Sequence, residues 1–304
     1  MKKVLITGIT GKSGMYLLEN ILSDKTCQRD YHFGFIIRNK EKIEAKTKSI
    51  ENCSIYVGDL EDKAFLSSVI SDGYSILLHI AGIQKSLKLV KTAIEVGNVR
   101  WMIMVHTTGI FSKYKAAGEG YRNIEKEIYE LIRKRNIDLT ILRPTMIYGN
   151  MNDNNISVFI KMVDKLRWFP VVNGAKYELQ PVWCGDLGKA YYQVLMNPEI
   201  TKNKNYNLSG GEPIMLIDIF RTIARYLNVN NRFISFPFWL SYSLAVVLYL
   251  FTLSKIDFRE KVQRLVEPRV FSHEEAKKDF GYNPLSFPIG IKKEIEEYLI
   301  EKKK

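Results

Sequence analysis

The chain has 304 residues, of which 46% are hydrophobic and 26% charged, and it contains no low-complexity segment or repeat. This composition excludes a disordered or fibrous chain and is typical of a globular enzyme with one large domain or two interleaved domains. The formal net charge of +12 indicates an anionic partner, namely a phosphorylated cofactor or substrate or an acidic membrane surface, although many lysines belong to solvated helix faces.

The sequence gives no sign of a metal, a disulfide framework or a nucleic-acid partner. Its three cysteines lie far apart without a C-x-x-C pair, and its four histidines show no ligand spacing. The lysines and arginines are dispersed rather than gathered in a basic block. The first predicted strand begins within the first few residues, which leaves no room for a signal peptide before it, and we expect a cytoplasmic protein.

The first two dozen residues comprise a short apolar run, a glycine-punctuated turn and an amphipathic helix. Val4–Ile6 predicts a buried strand, and Met15–Leu22 predicts a helix. Within the turn, Gly8 permits chain reversal, Gly11 permits a pyrophosphate to approach the backbone, and Gly14 permits close packing of helix on strand. We therefore predict a dinucleotide site here, the alternative being a plain turn between strand and helix.

The same turn supplies further groups that favour an anion. Free amides in the first helical turn, together with the helix dipole, attract negative charge. Thr10 lies in the turn, Lys12 can add a positive charge, and Ser13 can cap the helix. The spacing is G-x-x-G-x-x-G, and the residue five before Gly11 is Ile6 rather than glycine, which excludes a Walker A loop.

The end of the second predicted strand, His32–Ile37, decides the type of cofactor. An acidic residue there binds a ribose 2′-hydroxyl, whereas an arginine accommodates a 2′-phosphate. Because Arg38 and Lys40 follow this strand, we predict NADP(H) in preference to NAD(H). The alternative is that Arg38 is only a surface charge.

The next stretch alternates strands with helices. We predict strands over 54–57, 74–80 and 101–105 and helices over 61–70 and 85–96. The small residues Ala81 and Gly82 suit close passage of the cofactor, and we include Asp59 and Leu60 among the predicted cofactor residues. This alternation predicts a parallel, doubly wound sheet with ligands at the carboxyl ends of its strands.

Several stretches together resemble the extended and atypical short-chain dehydrogenase/reductases, the NAD-dependent epimerase/dehydratase group. The likeness covers most of the chain and rests on the glycine turn and on residues 58–60, 81–82, 106–109, 142–149, 180–187, 206–211 and 271–282. It implies an α/β fold of Rossmann type with a smaller, interleaved C-terminal part. We expect residues 1–150, with 177–208 rejoining the sheet, to bind the dinucleotide. Residues 151–176 and 209–304 then form the substrate-binding part.

The resemblance also implies where catalysis takes place. In that family a Ser or Thr after the fifth strand polarises the substrate oxygen, a position that Thr108, or otherwise Thr107, matches here. A Tyr-x-x-x-Lys pair on the next helix moves the proton, because a lysine one turn away lowers the pKa of the tyrosine. We predict Tyr121 or Tyr114 as the acid.

This chain departs from that pattern at the lysine. The residue four after Tyr121 is Glu125, and the residue four after Tyr114 is Gly118. Either the pair is absent, or one tyrosine works with another cation; Lys113, Lys115 and Arg122 are the candidates.

Substrate contacts are expected just beyond the sixth strand. Arg143 can pair with a carboxylate or phosphate of the substrate, or with an internal acid, and we include Tyr148 among the substrate residues. The polar segment 150–155 is interpreted as a substrate-facing loop or a connector. Further on, we predict a connector over 168–174, a helix capped by Asp186 and a helix over 216–227.

The segment Phe236–Leu253 carries no charge over 18 residues and includes Trp239 and two tyrosines, with basic residues on both sides. It is at the lower limit for a membrane-spanning helix and is typical of an interfacial anchor. We weigh contact with the cytoplasmic face of a membrane against a buried or homodimer-interface helix. A span is disfavoured because the following residues resemble part of the same body.

The sequence thus predicts an NADP(H)-preferring oxidoreductase or epimerase that acts on a sugar-like or other alcohol or ketone substrate. One alternative is a sensor or assembly factor that binds NADP(H) without turnover. Another is an interaction scaffold that binds no dinucleotide.

Overall fold

The computed structural model describes residues 1–50, 52–114, 116, 118–151, 153, 155–252 and 257–303. The strands are β1 (Lys2–Thr7), β2 (Tyr31–Ile37), β3 (Cys53–Val57), β4 (Ile76–His79), β5 (Trp101–Val105), β6 (Asp138–Pro144), β7 (Ile147–Tyr148), β8 (Trp168–Val172), β9 (Glu178–Leu179), β10 (Val182–Trp183), β11 (Asn205–Leu208), β12 (Ile214–Met215) and β13 (Arg232–Phe236). The helices are α1 (Lys12–Ser23), α2 (Lys25–Asp30), α3 (Glu41–Thr47), α4 (Lys63–Ser71), α5 (Ser86–Val96), α6 (Gly118–Arg133), α7 (Ile156–Lys165), α8 (Cys184–Met196), α9 (Pro198–Thr201), α10 (Leu216–Leu227), α11 (Phe238–Phe251), α12 (Arg259–Leu265), α13 (Glu274–Phe280) and α14 (Phe287–Lys302).

Seven parallel strands form the central sheet in the order β11-β6-β5-β4-β1-β2-β3. Successive side chains of β1 point to opposite faces, so Val4 and Ile6 pack with α1 and α8 while Leu5 packs with α4, α5 and α6. The strand order reverses between β1 and β4, which opens a crevice at the carboxyl ends of those strands. The predicted doubly wound Rossmann sheet is confirmed.

A second hydrophobic core lies in the C-terminal part, where α7, α10 and α14 pack together with β8. β8 pairs in parallel with β13, and its Phe169 and Val171 face this core. The prediction of a connector over 168–174 is therefore wrong for β8. The partner strand lies about 60 residues away along the chain, beyond the reach of local pattern.

The start of α8 differs from the prediction. Trp183, not Asp186, occupies the N-cap position, and Asp186 lies within the first turn. Its Oδ2 accepts a hydrogen bond from the Leu285 backbone amide at 2.9 Å, so it joins α8 to the segment before α14. Burial raises the pKa of Asp186 to about 6.

The predicted apolar segment forms α11 over Phe238–Phe251, and only Ala245 of this helix is buried. Leu253 lies outside the described residues. In the part of the chain that the structure describes, none of the helices has the length and apolar character needed to cross a membrane.

A buried histidine joins the two strands at the switch point. Thr7 Oγ1 lies 2.7 Å from His79 Nδ1, and His79 Nε2 lies 3.0 Å from the Gly82 carbonyl oxygen. Because that carbonyl can only accept, Nε2 donates to it and Nδ1 of the neutral ring accepts from Thr7. Burial lowers the pKa of His79 to about 4. The neutral ring therefore holds the loop after β4 against the end of β1.

We predict that Gly188→Ala weakens the packing of α8 on α1. An added Cβ would lie 2.4 Å from Tyr16 Cβ and 2.6 Å from the Leu17 amide nitrogen. We expect the free energy of unfolding to fall by about 2 kcal/mol because the helices must separate, measured by urea denaturation. Gly120→Ala is the matched control, since an added Cβ there meets nothing within 4 Å. Equal stability of G188A and wild type would contradict this packing.

We predict that His79→Gln reduces the acid sensitivity of the fold. Above pH 6.5 His79 is neutral in both folded and unfolded chains, so its contribution is complete there. Between pH 6.5 and the folded pKa of about 4, only the unfolded chain takes up this proton, which lowers stability. Wild type should lose about 3 kcal/mol more than H79Q across this window, measured by urea denaturation at each pH. Parallel stability curves would show that His79 does not titrate as described.

Candidate functional site

A cavity of about 830 Å³ lies at the carboxyl ends of the central strands. Its floor is the turn between β1 and α1. Loops after β2, β3, β4 and β5 form its sides. Residues of the C-terminal part close it, namely 145–147, 153, 155, 179–180, 264, 267–269 and 271. The cavity therefore occupies the crevice in which doubly wound folds bind their ligands.

Three glycines give the turn its shape. Gly8 has φ of +83°, and a Cβ there would lie 2.7 Å from the Ala81 amide nitrogen. A Cβ on Gly14 would lie 2.4 Å from the Gly8 carbonyl oxygen, so its absence lets α1 start directly against β1. Gly11 is the N-cap of α1 and lines the cavity. The amides that open a helix have no acceptor within that helix, and here they face the cavity, where they suit an anion.

The structure brings ten of the eleven predicted cofactor residues together around this cavity, and the eleventh, Gly14, packs behind them. The ten are Gly8, Thr10, Gly11, Lys12, Ser13, Arg38, Asp59, Leu60, Ala81 and Gly82. Their individual contacts with a cofactor stay a prediction.

Charged side chains surround the part of the cavity next to β2 and β3. Arg38 is exposed at the end of β2, and Lys85 Nζ lies 3.5 Å from Asp59 Oδ1. The Glu61 amide donates to Asp59 and, with Lys85 and Arg38 nearby, lowers the pKa of that carboxyl. Arg38 is thus available to a phosphate at this position.

The predicted hydroxyl of Thr108 lines the cavity just beyond β5. Its Oγ1 donates to the Pro144 carbonyl oxygen at 3.2 Å and is buried. Thr107, the other candidate, also lines the cavity, but its Oγ1 accepts a hydrogen bond from the Gly109 amide. The lone pairs of Thr108 Oγ1 can still accept a hydrogen bond from a substrate hydroxyl.

Neither predicted tyrosine lines the cavity. Tyr121 is buried in a small cluster with Ile83 and Ile110, and its phenol accepts a hydrogen bond from Gln84 Nε2 at 2.9 Å. Tyr114 is 41% exposed, two residues beyond the cavity-lining Ser112. A catalytic role for either tyrosine stays a prediction.

Glu125 stands four residues after Tyr121, where the resembled family has its lysine. It belongs to a buried network of charged side chains. Arg143 donates through Nε to Glu125 Oε1 at 3.0 Å and through a terminal nitrogen to Oε2 at 2.6 Å. His106 Nδ1 lies 2.9 Å from Oε1, and its Nε2 lies 3.1 Å from Ser86 Oγ. Burial lowers the pKa of His106, so the neutral ring donates to Glu125 and accepts from Ser86.

Neither of the two predicted substrate residues is among those that line the cavity. Arg143 pairs with the internal acid Glu125, which is the second of the two roles expected for it. Tyr148 is fully buried in the second core, its ring 5.4 Å from that of Phe287, and a Cβ on Gly290 would meet its phenol. β7 is parallel to β10, and this pairing fixes the inward direction of Tyr148.

Residues of the segment 264–271 contribute a wall of the cavity, here called the far wall, whose residues were not predicted from the sequence. Arg264 and Arg269 line the cavity, and the Nε atom of each is buried without a hydrogen-bond partner in the described part of the chain. Burial and the nearby Arg264 lower the pKa of Arg269 to about 10. Two close guanidinium groups with unused donors suit an anion. No spacing could reveal this, since they lie about 250 residues from the turn.

Glu267, between these arginines, joins the far wall to the region after β5. Its carboxylate accepts from Ser112 Oγ at 2.7 Å and from the Lys113 amide at 2.8 Å. The segment 150–155, interpreted as substrate-facing or as a connector, contributes Asp153 and Asn155 to the cavity. The bonds of Glu267 thus connect the far wall of the cavity to the loop after β5.

Comparison with known proteins gives one family model, described as NAD(P)H-binding, which matches residues 8–163. No curated protein sequence matches the chain significantly.

Similar solved structures share the fold at low identity. The protein gox2253 is 18% identical with a TM-score of 0.76, and 99% of each chain is covered. UDP-glucose 4-epimerase from Thermotoga maritima, solved with UDP-glucose, is 15% identical with a TM-score of 0.72 and 99% of each chain covered. UDP-glucuronic acid 4-epimerase from Bacillus cereus, solved with UDP-glucuronic acid and NAD, is 14% identical with a TM-score of 0.73, covering 98% of this chain and 99% of that one.

The family model covers slightly more than half of the chain and includes the whole glycine turn. The predicted resemblance is confirmed. The chain belongs to the NAD(P)H-binding family.

Proposed function

We propose that the protein is an NADP(H)-preferring oxidoreductase or epimerase that acts on an alcohol or ketone group of an anionic, sugar-like substrate. One observation carries this proposal: a single cavity contains the helix N-terminus, the Thr108 hydroxyl and the paired arginines of the far wall. The first group suits a pyrophosphate, and the last suits an acidic group of the substrate.

The cofactor part of the proposal rests on the turn and on Arg38. The opening amides of α1 bind the pyrophosphate, and Arg38 binds the 2′-phosphate at the end of β2. The nicotinamide, when bound, supplies or accepts a hydride. The similar Bacillus cereus enzyme was solved with NAD, so the proposed preference for NADP(H) rests on the basic residues after β2 and not on that comparison.

The substrate part of the proposal rests on the opposite wall. Arg264 and Arg269 bind a phosphate or carboxylate, and Thr108 orients the reacting oxygen by hydrogen bonding. Two of the similar structures are enzymes named for nucleotide sugars, which supports a substrate of this class. Proton transfer is assigned, as a proposal, to Tyr114 or Tyr121.

A protein that binds NADP(H) without turnover is the second candidate. It is favoured by the carboxylate of Glu125 at the lysine position and by the placement of both tyrosines outside the cavity. A sensor needs the turn and Arg38 but neither Thr108 nor a tyrosine acid. Turnover therefore separates the two candidates, whereas cofactor affinity does not.

We predict that Arg38→Ala removes the preference for NADPH. Loss of a charge-assisted contact with the 2′-phosphate should weaken NADPH binding about tenfold or more and leave NADH binding nearly unchanged. Gly11→Asp should abolish binding of both nucleotides, because it puts bulk and negative charge against the pyrophosphate. Titration of nucleotide fluorescence measures each dissociation constant.

Lys40→Ala is the matched control for Arg38→Ala. Lys40 is also exposed beyond β2, but its ammonium pairs with Glu44 at 3.1 Å. It should leave both affinities unchanged. The assignment of Arg38 is contradicted if R38A binds NADPH as tightly as wild type does.

We predict that Thr108→Val lowers kcat with little change in the dissociation constant of NADPH. Loss of one oriented hydrogen bond to the reacting oxygen should reduce kcat about tenfold to a hundredfold. Arg269→Gln should instead mainly raise KM, because it removes a binding charge. Hydride exchange between NADPH and a panel of phosphorylated sugars, nucleotide sugars and ketoacids provides the measurement.

Tyr114→Phe and Tyr121→Phe in the same assay identify the residue that transfers the proton. Only loss of the catalytic hydroxyl should lower kcat. Tight NADPH binding without exchange on any member of the panel would favour the sensor.

A further inference from the structure

A continuous apolar surface lies on the C-terminal part, away from the residues that line the cavity. We define the apolar patch as nine exposed side chains on β8, β13 and α11. They are Trp168, Ile234, Phe236, Trp239, Leu244, Val247, Leu248, Leu250 and Phe251. Contiguous apolar surface of this extent on a folded chain marks a site of interaction.

Local structure makes this patch continuous. β13 pairs with β8 in parallel, so residues in register share a face: Arg232 with Trp168, Ile234 with Pro170 and Phe236 with Val172. The chain then passes through Pro237 directly into α11. The outer face of the strand pair thus leads into the outer face of the helix.

Helix α11 exposes large apolar side chains of the kind that helices of globular proteins normally bury. Phe251 is 84% exposed, Trp239 68%, Leu250 63% and Leu244 59%. At 100° per residue these side chains, with Val247 and Leu248, cover about half the circumference of the helix. Within α11 as described, the only other exposed residue is Ser243.

The charged residues in the segments that carry the patch are all basic, whereas α12, which packs against α11, carries both signs. Residues 165–176 and 228–252 contain Lys165, Arg167, Lys176 and Arg232 and not one aspartate or glutamate. All four of these basic side chains belong to exposed residues. These four basic residues form the basic rim of the patch. Apolar residues that include two tryptophans, together with this rim, complement an anionic lipid surface, whose headgroups attract the rim while the acyl region accepts the patch.

Both ends of α11 remain attached to the body of the protein. β13 before it pairs along its whole length with β8, and Glu267 after it bonds to Ser112 and Lys113 beside the cavity. The helix therefore lies along a surface instead of crossing it. We propose that the apolar patch and its basic rim bind the surface of an anionic lipid bilayer. This inference goes beyond the proposed function and does not depend on it.

Vesicle flotation of the full chain without nucleotide tests the proposal. Wild type should float with vesicles of phosphatidylcholine and phosphatidylglycerol and much less with phosphatidylcholine alone. The double variant Leu250→Glu, Phe251→Glu should lower partitioning at least about a hundredfold, because two inserted side chains become charged. The double variant Arg167→Gln, Lys176→Gln should lower it about tenfold on the anionic vesicles only.

Ile289→Glu with Ile300→Glu is the matched control, since these side chains of α14 are 54% and 59% exposed. This variant adds the same charge and should float like wild type, and unchanged thermal unfolding shows that each variant is folded. The proposal is overturned if wild type stays unbound on anionic vesicles, or if L250E/F251E floats equally well. A wild-type dimer that becomes monomeric in L250E/F251E, without flotation of wild type, would assign the patch to a second copy of the chain.

Discussion

The contact between the start of α1 and the end of β1 is the constraint on which the rest of the site depends. A Cβ at position 14 would collide with the Gly8 carbonyl oxygen. Because Gly14 has none, the helix begins directly at the end of the strand. Its opening amides therefore lie at the floor of the cavity. Gly188 lets α8 pack equally close behind α1 and holds the helix in that position.

The distribution of charge follows a second constraint, which is that a buried ion needs a partner. Glu125 is buried, and Arg143 and His106 satisfy it within the protein. Arg264 and Arg269 on the far wall retain buried donors without partners among the described residues. The charge of Glu125 is thus balanced away from the cavity, while, of the eight charged residues that the structure describes along the cavity, five are basic. A cavity of this kind attracts anions from both ends.

One helix, α12, connects the cavity to the helix that carries most of the apolar patch. α12 packs against α11, and Arg264 near its end lines the cavity. The Arg259 guanidinium lies 3.7 Å from the centre of the Tyr249 ring, which joins α12 to α11 through a cation–π contact. A lipid surface bound at the proposed patch would therefore lie one helix away from the proposed substrate arginines. This arrangement suits a substrate that is presented at or near a membrane.

Local pattern was sufficient for the dinucleotide half of the molecule. The β1 and β2 strands and the glycine turn depend on burial periodicity and backbone freedom within a short window, as does α10 in the C-terminal part. Ten predicted cofactor residues meet at one cavity because parallel strands all end at the same edge of the sheet. Tertiary structure alone decided the strand pair β8–β13 and the inward direction of Tyr148. It also decided the partner of Arg143 and the arrival of Arg269 opposite the turn. Each of these depends on contact between segments far apart in the chain, and no residue window contains both partners.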